Sequence, residues 1–129
     1  MKRNLALAPL ALLGGCAIIP DTPRVDGEAE AQGSAVGINQ AVWAGDTILK
    51  PLVVTEDSRC PVDAECVWAG KLTVSTRIVA AHWTQTAPLT LGEPYEVLGR
   101  TYELVEATPD RTAAGTIGSG DYRFVFERR

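Results

Sequence analysis

Alternation of apolar and polar side chains with a period of two residues constrains the fold of this chain more than any other feature. In "KLTVSTRIVA" one face collects Leu72, Val74, Thr76, Ile78 and Ala80. Near the C-terminus "DYRFVFER" does the same with Tyr122, Phe124 and Phe126. Because successive side chains of a β-strand point to opposite faces, both stretches predict strands with one buried face.

Five more strand candidates lie along the chain, and turn-forming residues divide them. The candidates cover residues 36–43, 47–55, 87–91, 95–98 and 101–106, and the turns are Gly45-Asp46, Gly92-Glu93-Pro94 and Gly99-Arg100. No stretch predicts a helix. About seven short strands predict an all-β fold, namely a single small antiparallel β-sandwich, immunoglobulin-like, or a partly open barrel.

Proline and glycine refine this prediction at two places. Pro51 lacks a backbone N–H, so the second candidate strand should lie at a sheet edge or contain a bulge there. The glycine-rich "TAAGTIGSGD", residues 112–121, predicts a mobile loop before the last strand.

The N-terminus carries a bacterial export pattern. Lys2 and Arg3 precede an apolar run at residues 5–13, which is shorter than the roughly 20 residues of a transmembrane helix. Residues 13–16, with the sequence "LGGC", resemble a lipoprotein cleavage motif. We therefore expect residues 1–15 to be removed as a signal peptide and Cys16 to carry lipid such as palmitate. The alternative is secretion to the periplasm with an unmodified Cys16.

The mature chain divides into two parts. Residues 16–33, with prolines, acids and no periodicity, predict a flexible tether behind the lipidated cysteine. Residues 34–129 suffice for one compact domain, which we expect to be a monomer. By resemblance to lipoprotein sorting in Gram-negative bacteria, Ala17 after Cys16 favours the outer membrane, facing the periplasm.

Charge narrows the classes of partner. Loss of the signal peptide removes two of the 12 basic residues and none of the 16 acidic ones, so the net charge changes from −4 to −6. An acidic chain argues against nucleic acid and against electrostatic adhesion to anionic lipid, because both favour a basic surface. The lipid, rather than charge, would hold the protein at the membrane.

The stretch "EDSRCPVDAECVWAG", residues 56–70, concentrates the candidate chemistry. Because exported proteins meet oxidising conditions, Cys60 and Cys66 predict a disulfide, which by chain entropy contributes about 2.4 kcal/mol. The spacing and acidic surroundings argue against a redox-active pair. One histidine, His82, leaves a zinc site short of ligands. A calcium or small-ligand site stays open, because four acids lie close in sequence: Glu56, Asp57, Asp63 and Glu65.

Each remaining residue of the stretch has a structural interpretation. Asp57 and Ser58 can cap a turn, Pro61 restricts its backbone, and Arg59 can pair with a neighbouring acid. Trp68 can pack its ring against the disulfide. Gly70 permits a bend or a close backbone approach before the next strand.

The sequence contains no recognisable catalytic arrangement, such as a nucleophile elbow or a phosphate-binding glycine loop. We therefore expect a non-enzymatic protein without a cofactor. Paired carboxylates can do acid–base work, but an acidic loop has the same sequence pattern.

The run "VVTEDSRCPVDAECVWAGKLTV", residues 53–74, resembles the signature of a family of small, largely uncharacterised bacterial lipoproteins and secreted proteins. Residues 56–61 and 66–70 match its E-D-S-R-C-P and C-V-W-A-G elements, and "LTLGEPYEV" and "DYRFVFER" also resemble alphaproteobacterial members. The resemblance implies an exported, usually anchored, all-β domain and implies no activity.

These observations favour a lipid-anchored envelope protein that binds another envelope component or has a structural role. One alternative is an inhibitor or sensor module that presents the disulfide-closed loop 56–70 to a target. Preorganised loops lose little entropy on binding, which makes such a loop suitable. Another alternative is a small-ligand or metal-binding domain that uses the four acids.

Overall fold

The computed structural model of this chain describes residues 14–15, 23 and 27–129, and it is all-β. The predicted signal peptide, apart from Gly14 and Gly15, lies outside the described residues, as do Cys16 and most of the tether. Among the described residues, no helix has the length and apolar character needed to span a bilayer. The described helical structure is a single 3-10 turn at Ser119–Asp121.

In the part of the chain that the structure describes, seven strands form two antiparallel sheets that do not close into a barrel, so the predicted β-sandwich is confirmed. The first sheet has the order β1-β2-β3-β4 and the second the order β5-β6-β7. The strands are β1 (Val42–Ala44), β2 (Thr47–Asp57), β3 (Leu72–Val79), β4 (Thr84–Thr90), β5 (Tyr95–Val97), β6 (Arg100–Thr108) and β7 (Arg123–Arg128). Each sheet is a meander of consecutive strands, in contrast to the Greek-key order of immunoglobulin domains.

The two-residue alternation places the core between the sheets. The predicted inward residues of β3 and β7 are all buried: Leu72, Val74, Thr76, Ile78, Ala80, Tyr122, Phe124 and Phe126. A second, smaller cluster of Ala41, Ile48 and Val79 packs against Ala29 and Trp43. The N-terminal stretch of the domain therefore covers part of the first sheet.

One buried hydrogen bond connects the sheets inside the core. The Thr47 hydroxyl of β2 donates to the Ala44 carbonyl at 2.9 Å and lies 2.8 Å from the Tyr102 hydroxyl of β6. Because the Thr47 proton is used on Ala44, the Tyr102 hydroxyl donates to Thr47. Both side chains are fully buried, so this bond satisfies polar groups that would otherwise be costly to bury.

The predicted 36–43 strand is wrong over most of its length. Val36 makes one isolated antiparallel bridge to Phe124, and regular pairing begins only at Val42. Between them the Gln40 N–H donates to the Gly37 carbonyl at 3.1 Å, and Asn39 has a φ of 65°. Glycine and asparagine favour such a turn, and here they break the strand.

Pairing also starts before the predicted domain boundary at residue 34. The Glu30 N–H donates to the Ala41 carbonyl at 2.8 Å, and the Trp43 N–H donates to the Glu30 carbonyl at 3.0 Å. The folded domain therefore includes residues 30–33, which the sequence assigned to the tether.

The hairpin between β5 and β6 turns at Leu98 and Gly99 rather than at Gly99-Arg100. Val97 pairs with Arg100, and both turn residues have positive φ, 48° and 75°. Leucine gave no sign of this conformation, which usually favours glycine, asparagine or aspartate. The other two predicted turns lie between strands as expected.

Pro51 lies at a bulge, as predicted. The register of β2 against β3 shifts between Pro51 and Val53 and again between Val54 and Glu56. β1 pairs with β2 only as far as Leu49, so beyond it one side of β2 has no neighbouring strand among the described residues. The Asn39 N–H donates to the Pro51 carbonyl on this side at 2.7 Å.

Candidate functional site

Residues 56–70, named here the disulfide segment, connect β2 to β3 at one end of the sandwich. Cys60 and Cys66 form the predicted disulfide, with their Cα atoms 5.9 Å apart. The bridge closes a loop whose turn is stabilised by a hydrogen bond from the Ala64 N–H to the Pro61 carbonyl, 3.1 Å long. Pro61 therefore begins this turn, where its ring restricts the backbone.

Ser58 and Gly70 close the base of the segment. The Ser58 N–H donates to the Lys71 carbonyl at 2.8 Å, and the Lys71 N–H donates to the Ser58 hydroxyl at 3.1 Å. A Cβ on Gly70 would lie 1.6 Å from the Ser58 carbonyl oxygen. The predicted close approach is confirmed, because only a residue without a side chain lets the two backbones meet here.

Arg59 binds the segment to the second sheet. Its Nε and Nη2 atoms donate to the two oxygens of Asp57 at 2.9 and 3.0 Å, which is the bidentate pair of an arginine with a carboxylate. The same guanidinium donates to the carbonyls of Ala107 at 3.3 Å and Pro109 at 3.1 Å. The side chains of Arg59 and Asp57 are only 13% and 11% exposed, so this contact is largely shielded from solvent.

Tyr122 completes the network from the start of β7. Its hydroxyl donates to Asp57 Oδ2 at 2.7 Å. Burial, the hydrogen bond to Asp57 and the negative charge of Asp57 raise the pKa of Tyr122 to about 12. For Asp57 burial acts in the upward direction, but the hydrogen bonds from Arg59 and Tyr122 and the charge of Arg59 outweigh it and lower its pKa.

These pKa shifts suit a structural role for the network of Asp57, Arg59 and Tyr122. A carboxylate with a lowered pKa stays ionised near neutral pH, and a phenol with a pKa of about 12 stays protonated. The pKa of Arg59 is raised by its hydrogen bond to Asp57, although burial opposes the change. The three groups therefore hold their protons and charges instead of exchanging them in the range where general acids and bases work.

Residues 109–118, named here the β6–β7 loop, pack along the other side of the segment. Arg111 Nη1 donates to the Arg59 carbonyl at 2.8 Å, and the Val62 N–H donates to the Arg111 carbonyl at 2.9 Å. The Ala113 N–H donates to Asp63 Oδ1 at 2.8 Å. The glycine-rich stretch thus does more than connect two strands, since it helps to fix the disulfide segment.

The four acids of the candidate metal site lie in different environments. Glu56 faces Lys71 at 3.5 Å, Asp57 binds Arg59 and Tyr122, and Asp63 accepts the loop N–H. Glu65 is exposed. In the part of the chain that the structure describes, no three His, Cys, Asp or Glu side chains group as metal ligands, and His82 lies exposed beyond β3.

Three large apolar side chains of the segment are exposed to solvent. Val67 is 96% exposed, Val62 68% and Trp68 63%. Trp68 is therefore not a core residue, because most of its surface is in contact with water. The sequence could not separate these cases, since an aromatic residue beside a disulfide suits both a core and an exposed face.

A groove of about 500 Å³ lies between the unpaired side of β2 and the β6–β7 loop. Its lining consists of residues 52–57 together with Ile38, Ile117, Ser119 and Tyr122. A smaller hollow of about 150 Å³ adjoins it near Arg111 and also reaches Asp57 and Tyr122. The groove mixes apolar side chains with hydroxyl groups and the Glu56 carboxylate, so it has the character of a shallow ligand site.

Sequence reasoning identified Asp57, Ser58, Arg59 and Gly70 but missed the distant residues that form hydrogen bonds with this segment. Tyr122 and Arg111 lie more than 50 positions along the chain and come into contact only because β6 and β7 return to the disulfide end. Tyr122 had a signal as an inward residue of the last strand, although nothing marked its hydroxyl.

Comparison of the chain with protein-family models, curated proteins and solved structures gives no match. The resemblance of residues 53–74 to small bacterial lipoproteins therefore stays a prediction. The function has to be argued from the geometry of this end of the sandwich.

Proposed function

We propose that this chain is a lipid-anchored protein of the bacterial outer membrane whose β-sandwich is a non-enzymatic binding module. Its binding surface is the disulfide segment, with Val62, Val67 and Trp68 at the contact. The anchor is Cys16, and the target is another component of the cell envelope.

One observation carries this proposal: a segment fixed by several contacts to its own domain exposes three large apolar side chains. The contacts are the disulfide, the Ser58–Lys71 hydrogen bonds and the hydrogen bonds of the Arg59 guanidinium. Exposed aromatic and aliphatic groups on a fixed scaffold are typical of binding surfaces, because little conformational entropy is lost on contact.

The charged groups of the segment support binding over catalysis. Asp57 and Arg59 face each other and the second sheet, and their pKa values are shifted away from neutrality. A catalytic pair would need a group that gains and loses a proton near neutral pH. The network instead supports the loop that carries the apolar side chains.

Crosslinking in intact cells tests the proposal. The full-length chain, with a C-terminal epitope tag, is compared with the double variant Val67→Ser/Trp68→Ser after treatment with a short amine-reactive crosslinker. We expect a higher-mass complex with the wild-type chain and at least a fivefold loss in the double variant. Leu98→Ser is the matched control, because Leu98 is 67% exposed but lies in the β5–β6 turn.

Urea unfolding of the purified domains distinguishes the loss of a binding contact from a loss of stability. Substitution of exposed side chains should change stability by less than about 0.5 kcal/mol, so lost crosslinking with unchanged stability marks a binding contact. A complex of equal yield in all three proteins, or none in any of them, would refute the proposal.

A second candidate function is small-ligand binding, which the groove beside β2 favours. Thermal unfolding with calcium, zinc and common envelope metabolites tests it. A ligand at 100 times its dissociation constant stabilises the folded state by about 2.7 kcal/mol, which a thermal shift detects readily. Ser119→Trp, which places a bulky ring in the groove, should abolish such a shift, and no shift with any compound removes this candidate.

A further inference from the structure

The two ends of the sandwich differ in what they carry. The first paired residue of the domain, Glu30, binds Ala41 and Trp43, which lie beside the start of β2. The turn at Gly45-Asp46 is at the same end, and Arg100 reaches it with a 3.0 Å contact to Asp46. We name this the tether end.

The disulfide segment lies at the opposite end. β2 runs away from the tether end and leads at Asp57 into the segment, and β6 runs alongside in the second sheet to bring Ala107 to Arg59. From Leu49 to Asp57 the strand advances by roughly 25 Å at the rise of a β-strand. The apolar side chains are therefore separated from the point where the tether joins by most of the length of the domain.

This arrangement has a consequence for a lipid-anchored chain. In the proposed anchored chain, the lipid on Cys16 is joined to the domain through Glu30 at the tether end, so this end lies nearer the bilayer. The disulfide segment carries four acids and one arginine, a formal charge of −3. Anionic headgroups repel such a segment, which further disfavours an orientation with its apolar side chains in the membrane.

We infer that Val62, Val67 and Trp68 bind a second protein on the side away from the anchoring membrane, in an apolar pocket bordered by lysine or arginine side chains. This inference rests on the proposed anchored binding module and specifies its partner. The apolar side chains fill the pocket, while the exposed carboxylates of Asp63 and Glu65 face its rim. Arg59 and Asp57 form a shielded ion pair, so the exposed charge of the segment comes from its other acids.

Site-specific photo-crosslinking in intact cells tests the inference. A benzophenone amino acid replaces Val67 in the full-length lipoprotein, and in a second protein it replaces Leu98, which matches it as an exposed apolar residue at the tether end. We expect one protein adduct from position 67 and at least fivefold less of it from position 98. Mass spectrometry of the adduct identifies the crosslinked region of the partner, which should contain basic residues around an apolar site.

A charge reversal separates this inference from the general proposal. Glu65→Lys in the position-67 protein should lower the adduct yield at least threefold, whereas Glu28→Lys, an equally exposed acid near the tether, should leave it unchanged. Adducts from position 67 to lipid, or to a second copy of this chain, overturn the inference. A protein adduct formed mainly at position 98 contradicts the proposed binding surface as well, whereas a position-67 adduct that Glu65→Lys leaves unchanged overturns only the basic border of the partner's pocket.

Discussion

Gly70→Ala tests the claim that two backbones meet at the base of the disulfide segment. The added Cβ would lie 1.6 Å from the Ser58 carbonyl oxygen, 2.3 Å from its carbon and 2.8 Å from the Arg59 Cα. All three are backbone atoms, so no side-chain rotation relieves the contact. The chain must separate here, and the hydrogen bonds between Ser58 and Lys71 lie directly beside the contact.

The size of the effect follows from these contacts. Overpacking at a site that cannot relax costs about 1–3 kcal/mol, and loss of the two hydrogen bonds adds about 1 kcal/mol each, so we expect about 3–5 kcal/mol. A domain of this size typically has about 5–15 kcal/mol of stability, so the variant should still fold. A loss of about 3 kcal/mol corresponds to a fall in the melting temperature of roughly 12–24 °C.

Urea and thermal unfolding followed by circular dichroism measure this loss, with thiol titration to confirm an intact disulfide. Gly120→Ala is the matched control, because nothing lies within 4 Å of its added Cβ. We expect that control to stay within about 0.5 kcal/mol of wild type. A Gly70→Ala protein as stable as the control would show that the backbones do not meet as described.

Four further predictions address other contacts. Arg59→Lys keeps the charge but loses the bidentate geometry, so unfolding in urea should show a loss of about 2 kcal/mol. Tyr122→Phe should cost about 1.5–3 kcal/mol at neutral pH. Because the pKa of Asp57 is lowered in the folded state, the contribution of its carboxylate to stability is complete above the unfolded pKa of about 3.9. This contribution is lost as the pH falls through the folded pKa. Unfolding measured at several pH values should therefore show the stabilities of wild type and Tyr122→Phe converging in acid. Tyr102→Phe removes the buried inter-sheet hydrogen bond and should lower stability by about 1 kcal/mol in the same assay. Cys16→Ser should move the protein from the membrane fraction to the periplasmic fraction, measured by immunoblotting after osmotic shock.

Local pattern was sufficient for much of the fold. The period-two alternation predicted the inward faces of β3 and β7, because each side chain's direction in a strand depends only on its position. Pro51 marked the bulge, since a residue without an N–H cannot continue a regular ladder. Where the sequence prediction was wrong, as at residues 36–43, a turn interrupted an apolar pattern that also suits an irregular segment packed on the core.

The candidate site likewise combines contacts that the sequence indicated with contacts that it did not. The predicted export and the cysteine count indicated the Cys60–Cys66 bridge, and Arg59 was expected to pair with a neighbouring acid, which the structure identifies as Asp57. Both pairs join residues that are close along the chain. By contrast, Tyr122 and the carbonyl of Ala107 reach this site only through the path of β6 and β7 in the second sheet.

The sequence by itself determined the buried faces of β3 and β7 and the Cys60–Cys66 disulfide, since each depends on residue type and short-range spacing. Only the tertiary structure decided that the acids of residues 56–70 bind separate partners while Val62, Val67 and Trp68 face solvent. The physical reason is that the burial of a side chain depends on the whole fold. A charge or an aromatic ring is exposed to water or shielded from it according to which distant strand or loop packs against it.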